Sequence, residues 1–328
     1  MSTNQDRGAP ATRTAPADLL ETTTEPPVTR FRRRMRGGGR APAVLYLFPL
    51  PALILYVIFF AMPTVQAFQY AVTDWDGFSP TYETVGIDNF TNIITNDTLF
   101  RNALVNNLKF MLVVVVFQTL LALLLALFLA RNTRGSILLR ALYFFPTILS
   151  SVSVAFIWKF VYDPNFGLGN RVLDAVGLES LRSAFLGDPG KAIYFVAITQ
   201  VWFHAGQMMI IYVAGLQSVP TDLYESAALD GAGRWAQFRY ITWPMIAPAT
   251  TVVIAYTTIQ SFRAFDLILG LSGIPPAASL DILSTRIYTT FANSQFGYAA
   301  AESIVFMAII ALITFLQRRA VKLTQPGV

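Results

Sequence analysis

Residues Met111–Ala130 read MLVVVVFQTLLALLLALFLA, twenty consecutive positions without a charged side chain. A bilayer core is about 30 Å thick and a helix rises about 1.5 Å per residue, so a run of this length suits one crossing. A helix that is apolar all the way round belongs in lipid or in a large core, because no face of it is fit for water. Read outward from this stretch, the chain holds six such segments, at about 44–71, 104–130, 137–162, 192–217, 246–270 and 299–317. The composition agrees: 54% of the 328 residues are hydrophobic and only 13% charged, against roughly 25% charged in soluble domains. The expected fold is all-α, a polytopic membrane protein with six transmembrane helices.

The chemistry open to the chain is narrow. It has no Cys and a single His, His204, so disulfides, Cys nucleophiles and thiolate or His-cluster metal sites are excluded. No catalytic constellation is present, and no cofactor or metal is expected in this chain. The net charge of +5 is sorted along the sequence rather than spread. Arginines cluster at Arg30–Arg40, in the turn at Arg131, Arg134 and Arg140, in the 218–245 loop at Arg234 and Arg239, and at the C-terminus at Arg318 and Arg319. The alternate loops carry the acids, including Asp74, Asp76, Glu83 and Asp88, then Asp163, Asp174 and Asp188. Lys and Arg mark cytoplasmic loops. Both termini and the 218–245 loop are therefore expected in the cytoplasm, and the charge serves topology rather than nucleic-acid binding.

Residues 1–42, rich in Thr, Pro, Ala and Arg, read as a disordered basic cytoplasmic tail. The apolar run behind it far exceeds a 7–15-residue signal core, so it reads as a retained helix. Residues 43–322 then form one six-helix domain, with no second globular domain.

One cytoplasmic connection is too long for a bare turn: Tyr224–Pro248, YESAALDGAGRWAQFRYITWPMIAP. Asp222 is placed to cap a short helix, with Glu225 three residues on, close to a capping box. Ala227 and Ala228 give that helix a small surface suited to close approach. Asp230 and Gly231 end it through a left-handed turn. Trp235, Phe238 and Ile241 recur at helical spacing and give a second short helix an apolar face. Pro244 and Pro248 open the next membrane helix, where a missing N–H does no harm. Physically, such a segment is either a docking module or an interfacial piece packed on its own bundle.

The segment resembles the "EAA" coupling loop of ATP-binding-cassette importer permeases, whose pattern runs Glu-Ala-Ala, two residues, Asp-Gly-Ala, then Phe, Ile and Leu-Pro. Glu225, Ala227, Asp230, Gly231, Ala232, Phe238, Ile241 and Pro244 stand at those places, with Ser226, Gly233 and Trp243 departing from the pattern. Gly86-Ile-Asp-Asn89-Phe90, Pro146 with Trp158, Asp163-Pro164, Ala214-Gly215-Leu216-Gln217, Phe265-Asp266 and Phe296-Gly297-Tyr298 look like the carbohydrate-uptake permeases of the maltose and glycerol-phosphate type. The resemblance implies a multi-pass subunit of a bacterial plasma (inner) membrane importer of sugars, with di- or oligosaccharides the expected cargo. Its implied partners are membrane lipid, a second homologous permease, two ATP-binding subunits that use ATP and Mg, and an extracytoplasmic sugar-binding protein. It also implies that Glu225, Ala227, Ala228, Asp230, Gly231, Ala232, Trp235, Phe238 and Pro244 couple to the ATPase.

This chain has no phosphate-cradling loop of its own: Gly187-Asp-Pro-Gly190-Lys191-Ala192 lacks the spacing and the Ser or Thr that would hold Mg²⁺. Charged and amide side chains inside a membrane need a reason to be there, and sugars need hydrogen-bonding groups beside aromatic faces. Gln200, His204, Gln207, Gln260, Arg263 and Glu302 are the candidates for the substrate path, and Arg263 and Asp266, one turn apart, are placed to pair with each other. Two other readings stand beside this one. The same kind of transporter for another solute, such as glycerol phosphate, shares the coupling loop, although a phosphate favours several cavity-facing cations. An ion-coupled secondary carrier is marked by inverted repeats and broken helices, neither of which is evident in the sequence.

Overall fold

The computed structural model describes residues 47–324. The described elements are helical, apart from one isolated antiparallel bridge between Thr73 and Thr84. The tail expected over 1–42 and the first residues of the run from 44 lie outside the described residues.

The chain divides into two units, Met1–Ala61 and Met62–Val328. In the first, helix α1 (Leu50–Tyr56) starts behind Pro49 and passes into a π-helical turn, Val57–Ala61. Pro at the start of a helix loses no intrahelical bond. The rings of Tyr56 and Phe60 stack at 5.0 Å. None of its residues is buried and nearly all are apolar, the condition of a helix suited to lipid or to another apolar surface.

The second unit begins with α2 (Met62–Tyr70), α3 (Asp88–Thr95) and the long α4 (Thr98–Leu129). Helix α4 is 32 residues long, or roughly 48 Å at 1.5 Å per residue, well beyond one apolar thickness. Its start was expected near 104. The helix in fact begins at Thr98, where Asp97 accepts the Phe100 N–H and so satisfies an end donor. Hydropathy registers the lipid-matched part of a helix and not its polar first turns.

Helices α5 (Arg134–Phe144) and α6 (Ser151–Val161) follow, then α7 (Leu168–Ala175) and α8 (Ala192–Gln217). Helix α8 is the axis of the bundle: 67% of its most apolar window is buried, against 17% for the last span, Phe296–Arg319. Phe110 and Val114 of α4 meet Val196 and Phe203 of α8 in one apolar cluster; Ala122 and Ala126 meet Met208, Met209 and Tyr212 in another. Close approach is forced at Gly206, where a Cβ would collide with the Tyr143 carbonyl oxygen of α5.

The chain continues through α9 (Thr221–Leu229), α10 (Arg234–Gln237), α11 (Ala247–Phe262), α12 (Phe265–Ser272), α13 (Leu283–Ala292) and α14 (Phe296–Thr324). Four stretches are each long and apolar enough to cross a membrane, and two more qualify only as bent pairs. The third expected segment, 137–162, is thus not one straight helix. It bends by 98° between Arg134–Ile148 and Ser151–Val161. Pro146 in the intervening 3₁₀ turn supplies no N–H and disfavours helical geometry before it. Thr147 then anchors the bend by donating to the Phe203 carbonyl at 3.0 Å. The fifth, 246–270, is entered through a 63° bend and breaks again at Arg263-Ala264, between α11 and α12. The broken helices missing from the sequence reading are therefore present in the fold, and they place polar residues at the breaks.

Candidate functional site

Gln200 and His204 lie four residues apart on α8, and Tyr256 and Gln260 four apart on α11; at that spacing each pair shares one helix face. The two faces meet across a cavity of about 420 Å³, which Arg263 and Asp266 at the α11–α12 break and Ser151 at the start of α6 also line. The break brings both residues to the cavity. Helix α11 stops at Phe262, the Arg263 N–H bonds the Gln260 carbonyl, and the Phe265 N–H bonds the Arg263 carbonyl at 2.8 Å. Asp266 then falls in the first turn of α12, where the helix dipole favours a carboxylate.

Of the six path residues expected from the sequence, four line this cavity: Gln200, His204, Gln260 and Arg263. Gln207 stands beside it, donating to the Tyr256 hydroxyl at 3.1 Å. Gln260 is held from behind, since Gln118 Nε2 donates to its Oε1 at 3.3 Å. Tyr256 and Ser151 were missed; the four-residue spacing of Tyr256 to Gln260 was the available signal. Arg263 and Asp266 do not form the expected pair. Among the described residues neither takes part in an ion pair; the helix breaks at Arg263-Ala264, so Arg263 is out of the helical register that Asp266 follows in α12. Both side chains remain exposed to the cavity.

Glu302, the sixth, is placed elsewhere. It is fully buried and bonded to Arg286 of α13 at 3.2 Å; the same guanidinium reaches Asp97 at 3.3 Å. Tyr298 donates to the same Asp97 oxygen at 3.0 Å. The structure therefore sets Glu302 apart from this cavity, sealed beside Arg286 where α14 meets α13 and the cap of α4.

The loop 218–245 forms two short pieces. Helix α9 starts at Thr221, directly behind Pro220, and no side chain caps it. Asp222 is therefore inside the first turn rather than the expected cap. Gly231 ends the segment with φ +80°, and the Ala232 N–H closes on the Ala227 carbonyl at 2.8 Å. The expected second apolar face is divided. After α10 the backbone widens into a π turn over Phe238–Thr242, which shifts Ile241 off the face of Trp235. Ile241 and Tyr224 pack on the core beneath, with Tyr224 and Thr242 hydroxyls 2.9 Å apart. Trp235, stacked on Phe238 at 5.7 Å, is 75% exposed. Glu225, Ala228, Asp230 and Gly231 are exposed, whereas Ala227 and Ala232 are half-buried. Pro244 lies in the helical turn Trp243–Met245 that leads into α11.

Comparison with known proteins agrees with this architecture. Residues 118–324 match the family described as binding-protein-dependent transport system inner membrane component, and the chain belongs to that family. It is a multi-pass protein of the inner membrane. A probable ABC transporter permease of Pyrococcus horikoshii is 36% identical over 285 residues, 86% of this chain and 97% of that protein. The diacetylchitobiose uptake system permease NgcF of Streptomyces coelicolor is 35% identical, covering 88% of this chain and 86% of its own length. Among solved structures, a bacterial ABC transporter for import of the acidic polysaccharide alginate superposes with a TM-score of 0.73 at 25% identity, over 90% of this chain and 98% of that one.

Proposed function

We infer that the chain is a permease subunit of an ATP-driven importer of neutral di- or oligosaccharides. The observation that carries this reading is the cavity between α8 and α11. Two amides, an imidazole and a phenol face it, a set suited to sugar hydroxyls and to an apolar ring face. Its one cation, Arg263, is matched by one carboxylate, Asp266. An acidic or phosphorylated solute favours unmatched cations, so a neutral sugar suits the site better than the alginate named for the solved relative.

The loop around Gly231 is the proposed joint to a separate ATPase. Its support is physical: Leu229, Trp235 and Tyr240 are 90, 75 and 77% exposed, too much apolar surface for a segment whose only partner is its own bundle. Glu225 and Trp235 would enter a cleft of the ATPase, and closure of that cleft on ATP would move α9 and α11. In this reading both termini and the loop are cytoplasmic. A second permease completes the path, a pair of ATPase subunits supplies the energy, and an extracytoplasmic binding protein delivers the sugar. The chain itself carries out no chemical step.

The test is uptake by proteoliposomes holding this chain with its partner permease, ATPase and binding protein. A panel of radiolabelled diacetylchitobiose, maltose and maltotriose is offered with and without internal ATP. ATP-dependent accumulation of a member of the panel is expected. Uptake driven by a proton or sodium gradient without ATP sinks the reading.

A further inference from the structure

A second pocket, of about 540 Å³, lies between α2, α13 and α14. Its walls are aromatic: Tyr70, Trp75, Tyr288, Phe291 and Phe296 line it together. These rings brace one another, with Tyr70 on Trp75 at 4.2 Å and Phe291 on Phe296 at 4.3 Å. The loop carrying Trp75 is pinned in turn, since the Gly297 N–H donates to the Trp75 carbonyl at 2.9 Å. A Cβ on Gly297 would strike the Thr73 carbonyl oxygen. Between the rings stand Gln66, Ser284 and Ser303. The Ser284 hydroxyl is buried and has no hydrogen-bond partner in the protein, which a buried polar group normally has.

The groove adjoins the proposed path. Ala264 and Asp266 line the polar cavity, and Phe265 between them meets Tyr288 edge to face at 5.3 Å. Tyr288 belongs to the wall of the aromatic groove. One aromatic pair thus stands between the two spaces.

We propose that the aromatic groove is a second carbohydrate subsite, which receives pyranose rings face-on and passes them by the Phe265–Tyr288 pair into the polar cavity. The proposal rests on the sugar-importer reading above. Ring faces of pyranoses present C–H groups that settle on aromatic surfaces, and their edges present hydroxyls that need partners such as Ser284 and Gln66. A lipid chain asks for a different lining. The chain has such a lining in another groove, about 620 Å³ between α4 and α8, walled by Leu120, Leu121, Leu124 and Ile198 with almost no polar group. The aromatic groove, with its hydroxyls and amide, is not of that kind.

The test uses the assembled transporter and whichever sugar of the panel it takes up. The chain is free of Cys, so Ser303→Cys is compared with the same assembly lacking the substitution. A water-soluble methanethiosulfonate should reduce uptake by the Ser303→Cys assembly at least fivefold, and saturating sugar should protect it. In parallel, Tyr288→Ala should raise KM for uptake about tenfold with folding intact, and Tyr288→Phe should restore most of the loss. Modification by the reagent without loss of uptake, loss without protection by sugar, or reaction only with a membrane-soluble maleimide overturns the subsite; the last places lipid there. If the unsubstituted assembly takes up no sugar on the panel, the importer reading has failed, and the subsite with it.

Discussion

Arg286 and Glu302 are bonded at 3.2 Å, and the same guanidinium reaches Asp97 at 3.3 Å. The Glu302 side chain is fully buried; those of Arg286 and Asp97 are only 13 and 10% exposed. The three come from α13, α14 and the cap of α4, so this one cluster ties together elements almost two hundred residues apart.

Removing the arginine leaves two acids facing each other without their cation. Arg286→Met is expected to destabilise the subunit by about 3–5 kcal/mol, the usual cost of an orphaned buried charge. Arg286→Met with Glu302→Leu should recover part of it. Thermal unfolding in detergent reads both. A structural post further requires that the folded fraction of Glu302→Gln still transports; a severalfold loss of uptake with unchanged melting would return Glu302 to the path.

Gly206 faces the backbone of Tyr143, with no room for a side chain. Gly206→Leu should therefore separate α8 from α5 and cost about 1–3 kcal/mol or more. Size-exclusion chromatography of a fluorescent fusion should show less monodisperse protein. A normal yield and melting temperature would mean that α5 moves aside freely.

Beyond its own chain neighbours, nothing lies within 4 Å of where a side chain on Gly231 would start, and its φ is +80°. Substitution there acts through the backbone alone. Gly231→Val should strain the turn by about 1–2 kcal/mol, while Gly231→Asn, which tolerates this region, should be milder. With Glu225→Ala, the expected result is intact insertion and assembly with sugar-stimulated ATPase activity and uptake falling together. Parental transport by Glu225→Ala or Gly231→Val in an intact assembly removes that residue from the joint.

Gln260 presents its amide to the cavity while Gln118 steadies it from behind. Gln260→Leu should lose a hydrogen bond to the solute of about 1 kcal/mol and raise KM severalfold, and by taking one acceptor from the buried Gln118 amide it should also lower the melting temperature. An unchanged KM would remove Gln260 from the solute's contacts.

The orientation is open to labelling because the chain has no Cys of its own. Single cysteines at Ser79 and Ser183 should react with an impermeant thiol reagent on intact cells, and one at Ser218 should not. The opposite pattern reverses the topology.

The sequence by itself determined the class of fold, because lipid imposes a one-dimensional rule: about twenty apolar residues per crossing, wherever they pack. It also marked the polar positions of α8 and α11, since Gln200 with His204 declares a shared face through spacing alone. The Gly231 turn was legible for the same reason, its geometry being local. What only the tertiary structure decided was which of these positions meet. Arg263 and Asp266 look like partners at three-residue spacing until the helix breaks between them. Glu302 looks like an unpaired membrane charge until Arg286, in a segment with no membrane signature, folds against it together with Asp97. Hydropathy and helical period report on neighbours in the chain, whereas a buried charge takes its role from whichever group arrives through space.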